Sequence, residues 1–143
     1  MAGSDRSARQ GGYMKYYYTA VLTPREDGTG YDCSVPDIPH CVTGGTDLSD
    51  AVTMITDAAT LMLTAYEDDG RAIPPATNPV DFPHEPGAIT TLVALDTDAY
   101  RMRMDTAPVR KSVSIPAWMD KMARKRGISC SQVLQEALRQ RLT

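Results

Sequence analysis

The stretch VRKSVSIPAWMDKMARKRGISCSQVLQEALRQRLT, Val109 to Thr143, decides the architecture. Val109 to Ile115 alternates apolar and polar residues and stops at Pro116, the pattern of a strand. Pro116 opens a short helix over Ala117 to Arg126, and Gly127 ends it. Ser129, with Gln132 three residues on, fits a capping box for a second helix reaching about Leu142. Its apolar stripe is Val133, Leu134, Ala137, Leu138 and Leu142. One strand and two short helices, about 35 residues, are too few to bury a core. A lone strand also has no partner for its backbone ladder. Both difficulties vanish if two chains interlock, each lending one strand to an antiparallel ribbon.

Alternation assigns the faces of that ribbon. Val113 and Ile115 point into the two-chain core, and Arg110, Ser112 and Ser114 point outward. The strand, Pro, helix, Gly, helix order resembles the ribbon-helix-helix fold, in which a strand pair lies in the major groove of DNA. The resemblance implies that Arg110, Ser112 and Ser114 meet base edges, arginine as a bidentate partner of guanine and serine as donor or acceptor. It also implies that the second helix docks its N-terminus on a phosphate, a role suited to Ser129 and Ser131. Lys111 departs from the pattern, because it falls on the core-facing parity where an apolar residue is usual. It is expected at the fraying end of the ribbon, reaching toward a phosphate. The plain alternative for Arg110, Ser112 and Ser114 is the polar face of a solvent-exposed edge strand. For Arg124, Lys125 and Arg126 it is complementation of a helix C-terminal dipole.

Charge separates this segment from the rest. Residues 101–143 hold ten basic and three acidic residues, a net +7, whereas residues 1–100 hold five basic and fifteen acidic ones, a net −10. Such asymmetry points to two modules with different partners, the basic one suited to a polyanion. The whole chain, 143 residues with 42% hydrophobic and 23% charged, has the composition of a soluble globular protein. It has no apolar run of eighteen residues and no secretory leader, so a membrane span and secretion are not expected. Cys33, Cys41 and Cys130 are odd in number, with no C-x-x-C pair. Neither a disulfide framework nor a metal site has its ligands, no cofactor is called for, and a reducing cytoplasm is the plain inference.

The acidic module follows a leader. Residues 1–13, MAGSDRSARQGGY, lack periodicity and precede a second methionine, Met14, so they read as a vector-derived or disordered tail. The module proper spans 14–100, with a linker over 101–108. Lys15 to Thr23 has strand composition, with Tyr16, Tyr18, Ala20 and Leu22 on one face. A second strand is expected over about Tyr31 to Val35 and a third over Cys41 to Gly44, separated by the loop PDIPHC. Asp47 or Ser49 can cap a helix whose stripe is Val52, Ile55, Ala59, Met62, Leu63 and Tyr66, and Gly70 stops it. The proline-rich stretch over 73–87 reads as an extended loop. Ile89 to Leu95, almost uniformly apolar, reads as a buried strand. The fold class is α+β, a β-β-β-α-β unit followed by the strand and two helices.

No active site emerges from these residues. The first strand carries no acid, and Glu67, Asp68 and Asp69 cluster at a helix end, where they do not converge on a shared ion. His40 sits in a tight turn after Pro39, Cys41 enters a strand, and neither histidine is paired with a nucleophile by any motif. The protein is therefore read as a non-enzyme. A metal-dependent nuclease is the contrary reading, recognisable by RNA cleavage with the pure protein.

From Met14 onward the chain resembles the HicB family of antitoxins. The resemblance rests on MKYYYTAVLTP, PDIPHCVTGGT, LSDAVTMITDAATLMLTAYEDDG, AIPP and the C-terminal segment quoted above, in that order. It implies a partial RNase H-like first domain without nuclease function, which binds and masks a small basic HicA-type mRNA-cleaving toxin. It also implies a ribbon-helix-helix second domain that forms a homodimer on operator DNA and represses its own operon. Assembly beyond the dimer is left open. His40 departs from the family, which often has glycine there, and puts that loop's conformation in question. The alternative is a stand-alone ribbon-helix-helix regulator whose first domain senses a small molecule.

Overall fold

A computed structural model describes residues 7–10 and 13–143, with side chains from Lys15 onward. Compact packing divides the chain into two units, Met1–Asp105 and Thr106–Thr143.

The first unit is built on an antiparallel sheet. Its strands are β1 (Ser7–Gln10), β2 (Tyr13–Pro24), β3 (Tyr31–Ser34), β4 (Val42–Gly45) and β5 (Ile89–Asp96). The long strand β2 is central. β5 pairs along one of its sides from Leu22↔Ile89 to Lys15↔Asp96. On the other side β3 takes Val21–Pro24 and β1 takes Tyr13–Tyr16, and β4 completes the sheet beyond β3. The alternation expected in β2 is observed: Tyr16, Tyr18, Ala20 and Leu22 are all buried. The leader expected to be free of regular structure is corrected at five residues, since Ser7–Gln10 pair with β2 and Tyr13 opens β2. A ladder needs only backbone groups, and the start of β2 presents them beyond the end of β3. The remaining leader residues, 1–6 and 11–12, lie outside the described residues.

The helix α1 (Leu48–Asp68) covers one face of the sheet. Asp47 caps it, its carboxylate accepting from the Asp50 amide at 2.8 Å, while the Asp50 carboxylate accepts from the Thr46 amide at 2.9 Å. Ile55, Ala59 and Leu63 are fully buried as expected. The stripe is wider than periodicity indicated, because Ala51, Thr60 and Thr64 are buried and Val52, Met62 and Tyr66 lie at its margin. Thr56, Thr60 and Thr64 manage this by donating back to Val52, Thr56 and Thr60 carbonyls at 2.7–2.8 Å, which hides their hydroxyls. Close approach of α1 to β4 depends on Gly45, where any side chain would run into the backbone of Ala51. Each buried leucine or isoleucine here contributes roughly 1.5–3 kcal/mol.

Two expectations are corrected after α1. The run Ile89–Leu95 is not buried on both faces: Val93 and Leu95 are buried, but Leu92 is 56% exposed and Ile89 37%. Uniform apolar composition signals a sheet covered on both faces, and here a helix covers only one. Further, Arg101–Met104 do not belong to a linker. Thr97–Met104 form α2, capped by the Asp96 carboxylate accepting from the Ala99 amide at 2.9 Å. The proline-rich segment between α1 and β5 is pinned down. The Asp37 carboxylate accepts from both the amide and the hydroxyl of Thr77 at 2.8 Å, and Phe82 is buried.

In the second unit, α3 (Ala117–Lys125) and α4 (Cys130–Leu142) form where expected, joined through Gly127 at φ +66. No strand is present at 109–115 within the single chain. Every residue of the unit is exposed except Asp120 and Ala123, which are half-buried.

Candidate functional sites

The residues singled out for nucleic acid all lie in the second unit, and they are all exposed. Arg110, Lys111, Ser112 and Ser114 occupy the segment before α3 that makes no ladder with the rest of the chain. The apolar residues of the same segment are exposed too, Val113 at 61% and Ile115 at 43%. Ser129 is the N-cap of α4 as expected, its hydroxyl oxygen accepting from the Gln132 amide at 3.3 Å. Ser131 follows in the first turn, where the leading amides have no partner four residues back. These donors aim along the helix axis, an arrangement that suits a phosphate oxygen. Arg124 is spoken for by Asp120 at 3.2 Å, one helical turn earlier, whereas Lys125 and Arg126 stay exposed. The unit carries eight basic and two acidic residues, a net +6.

The first unit has the opposite charge, seven basic and sixteen acidic residues, a net −9. An open groove of about 560 Å³ lies between β4, α1 and α2, lined by Met54, Asp57, Leu61, Tyr100, Arg103 and Met104 among others. Asp57 and Arg103 face each other across it at 3.6 Å, both largely exposed. Beside the groove lies a more enclosed polar knot. Glu67 accepts from the hydroxyls of Tyr16 at 2.7 Å and Thr97 at 2.9 Å, and from Arg101 at 3.0 Å. Arg101 also reaches Asp68 at 2.8 Å and the Thr64 carbonyl at 3.3 Å. Bonds to the two carboxylates hold its guanidinium pKa above the usual arginine value.

Burial pushes the thiols of Cys33 and Cys41 up, away from the thiolate form a nucleophile needs. Tyr18, buried and donating to the Pro74 carbonyl, is raised to about 12, first by burial and then by the charges of Asp37 and Tyr66. Among the described residues, no three histidines, cysteines or carboxylates come together to hold a metal ion. No helix among them is long and apolar enough to cross a membrane. His40, in the turn between β3 and β4, adopts φ +65. That conformation favours glycine and explains why a glycine is at home there.

Compared with known families, residues 18–138 match the one described as HicB-like antitoxin of bacterial toxin–antitoxin system. The chain belongs to this family. The chain is also 33% identical over 86 residues to Antitoxin HicB 2 of Photorhabdus laumondii, an alignment covering 59% of this chain. The match spans 62% of that relative's length. Among solved structures, a chain from a toxin–antitoxin complex of Streptococcus pneumoniae superposes with a TM-score of 0.55 at 22% identity. It covers 90% of this chain and 99% of the other. The antitoxin HicB of Burkholderia pseudomallei superposes with a TM-score of 0.50 at 24% identity, covering 89% and 98%. At such identities these likenesses concern the fold.

The groove and the Glu67–Arg101 knot were missed from sequence. A signal existed in DTDAYRMRM: Asp96 stands at a cap position, Asp98 in the first turn, and Arg101 and Arg103 in the last. That is the charge order of a helix.

Proposed function

We propose that this antitoxin acts by binding alone. Its first unit, read as a partial RNase H-like domain, masks a HicA-type mRNA-cleaving toxin. Its second unit, read as a ribbon-helix-helix domain, binds operator DNA as a homodimer and represses its own operon. The observation that carries the DNA half is the exposure of the second unit's apolar residues. Val113, Ile115, Trp118, Val133, Leu138 and Leu142 are each more than 40% exposed, which no stable monomeric unit tolerates. A second copy supplies both the missing strand for 109–115 and the missing core.

In the dimer so formed, Arg110, Ser112 and Ser114 share a parity opposite to Val113 and Ile115, and face base edges. Lys111, Ser129 and Ser131 hold the backbone phosphates. The net +6 of each unit doubles in the dimer and draws it to DNA. The net −9 of the first unit suits a basic toxin and speeds their encounter. Free thiols at Cys33, Cys41 and Cys130 accord with work in the cytoplasm.

Fluorescence anisotropy on a duplex from its own promoter and on a scrambled duplex, at two salt concentrations, tests the DNA half. Tight promoter binding that weakens with salt is expected, with Arg110→Ala losing roughly 1–3 kcal/mol of it. Equal binding to both duplexes would reduce the unit to a basic tail. For the toxin half, the product of the adjacent gene should co-purify with the antitoxin and lose its RNA cleavage in the complex.

A further inference from the structure

A helix that covers a sheet ordinarily turns polar residues to water on its outer side. α1 departs from that rule. Met54 and Leu61 stand on its outer side, 43% and 53% exposed, with half-buried Ala58 between them. Residues three and four apart share one ridge of a helix, so these side chains form a continuous apolar stripe. Met104 of α2, also exposed, extends the stripe across the groove of about 560 Å³. Asp57 rises from the same ridge, three residues after Met54 and four before Leu61. An exposed apolar stripe in a concavity marks a docking surface, and this one has a carboxylate at its centre.

The two arginines of α2 answer the carboxylates of α1 differently. Arg101 is gripped by Glu67 at 3.0 Å and Asp68 at 2.8 Å, which fixes α2 as a wall of the groove. Arg103 reaches Asp57 at only 3.6 Å, with both side chains 60% exposed, and lies 5.5 Å from the Tyr100 ring centre. An exposed pair of that length is weak and readily exchanged for another.

We infer that a basic protein partner, the toxin, docks in this groove and takes Asp57 from Arg103. An apolar side chain of the toxin enters between Met54, Leu61 and Met104, while a toxin lysine or arginine binds the Asp57 carboxylate. Arg103 is then an internal stand-in for the partner's cation, holding the acid until the partner arrives. This docking presumes the toxin-masking role proposed for the first unit, and adds where it occurs and which ion pair is exchanged. The occupant is a cationic protein because the site joins apolar surface to an acid. Nucleic acid would be repelled by Asp57 and by the unit's net −9. A partner without a cation would leave Asp57 covered and unpaired once Arg103 was displaced. Leu92, exposed on the uncovered face of the sheet, lies in a stretch, 89–95, with no charge to receive a cation.

Calorimetric titration of the full chain and its variants with the purified product of the adjacent gene tests it. Leu61→Asp should weaken binding at least about thirtyfold, and Asp57→Asn about tenfold. Arg103→Gln should tighten binding roughly threefold, because an exposed ion pair no longer competes for Asp57. Leu92→Asp, on the other face of the sheet, should leave the affinity unchanged. Unfolding weakens binding and never tightens it, so the Arg103→Gln result holds even where Leu61→Asp disturbs the core. Unchanged affinity in Leu61→Asp, no tightening in Arg103→Gln, or a loss confined to Leu92→Asp would each overturn the docking while leaving the masking role in place. So would a Leu61→Asp protein that loses self-association and still binds the toxin, since a second copy is then the occupant. No binding by the native chain would sink the masking role itself, and the docking with it.

Discussion

The guanidinium of Arg101 closes on Glu67 at 3.0 Å and on Asp68 at 2.8 Å, locking the helix that follows β5 to the end of α1. Tyr16 and Thr97 bind the same Glu67 carboxylate, so three elements meet at one acid. Arg101→Met should lower the stability of the first unit by about 1–2 kcal/mol, discounted for the partial exposure of the pair. Thermal unfolding reads this as a shift of several degrees. A double-mutant cycle with Glu67→Gln that returned no coupling would show the knot to be a surface contact.

Alkali should unfold the protein through Tyr18. Its pKa in the fold is about 12 against 10.0 ordinarily, chiefly through burial. A group raised in the folded state contributes stability that is complete below its unfolded value and is lost as pH climbs through the folded one. The loss therefore falls between about pH 10 and 12 and amounts to roughly 2–3 kcal/mol. Urea midpoints at pH 9 and pH 11.5 should separate clearly in the native chain. They should separate less in Tyr18→Phe, whose remaining drop belongs to the other tyrosines and lysines.

The left-handed backbone at His40 carries a cost that glycine would not. His40→Gly should raise stability by about 0.5–1 kcal/mol, since strain of roughly 1–2 kcal/mol is relieved and part is returned as unfolded-chain entropy. Calorimetry checks this. A lower melting temperature would mean that the imidazole makes contacts worth more than the strain.

The proline-rich segment is tethered at Thr77 by Asp37, through two hydrogen bonds of 2.8 Å. Asp37→Ala should speed hydrogen exchange in residues 76–82 at least tenfold while changing global stability by no more than about 1 kcal/mol. A matching rise throughout β2 would mean that the tether supports the whole core.

How far the sequence could be read depended on whether an element's partners were encoded locally. Alternation in β2 and the 3.6-residue period of α1 gave correct buried faces, because each reports contacts with one continuous core. Pro116, Gly127 and Ser129 bounded the last two helices, because caps act within a few residues. β5 was misjudged because ITTLVAL states its own polarity but not how many layers surround it. The second half of α2 was taken for linker because its cohesion lies in Arg101 reaching residues more than thirty positions earlier. Thr60 and Thr64 were left out of the core because their back-bonded hydroxyls conceal a polarity that the residue type advertises. Arg110, Ser112 and Ser114 were picked out by strand parity, and a single chain leaves that parity without a ladder to display it.

The second unit has no buried residue of its own, so in the proposed homodimer its order would follow the number of copies present. A fold completed only by a second chain loses about 1.4 kcal/mol of stability, per mole of dimer, with each tenfold dilution. The first unit, with its own core, feels no such dependence. When the chain becomes scarce, Thr106–Thr143 should lose order first, while Met1–Asp105 stays folded. Under that proposal, abundance itself would become a signal read by one half of the molecule and ignored by the other.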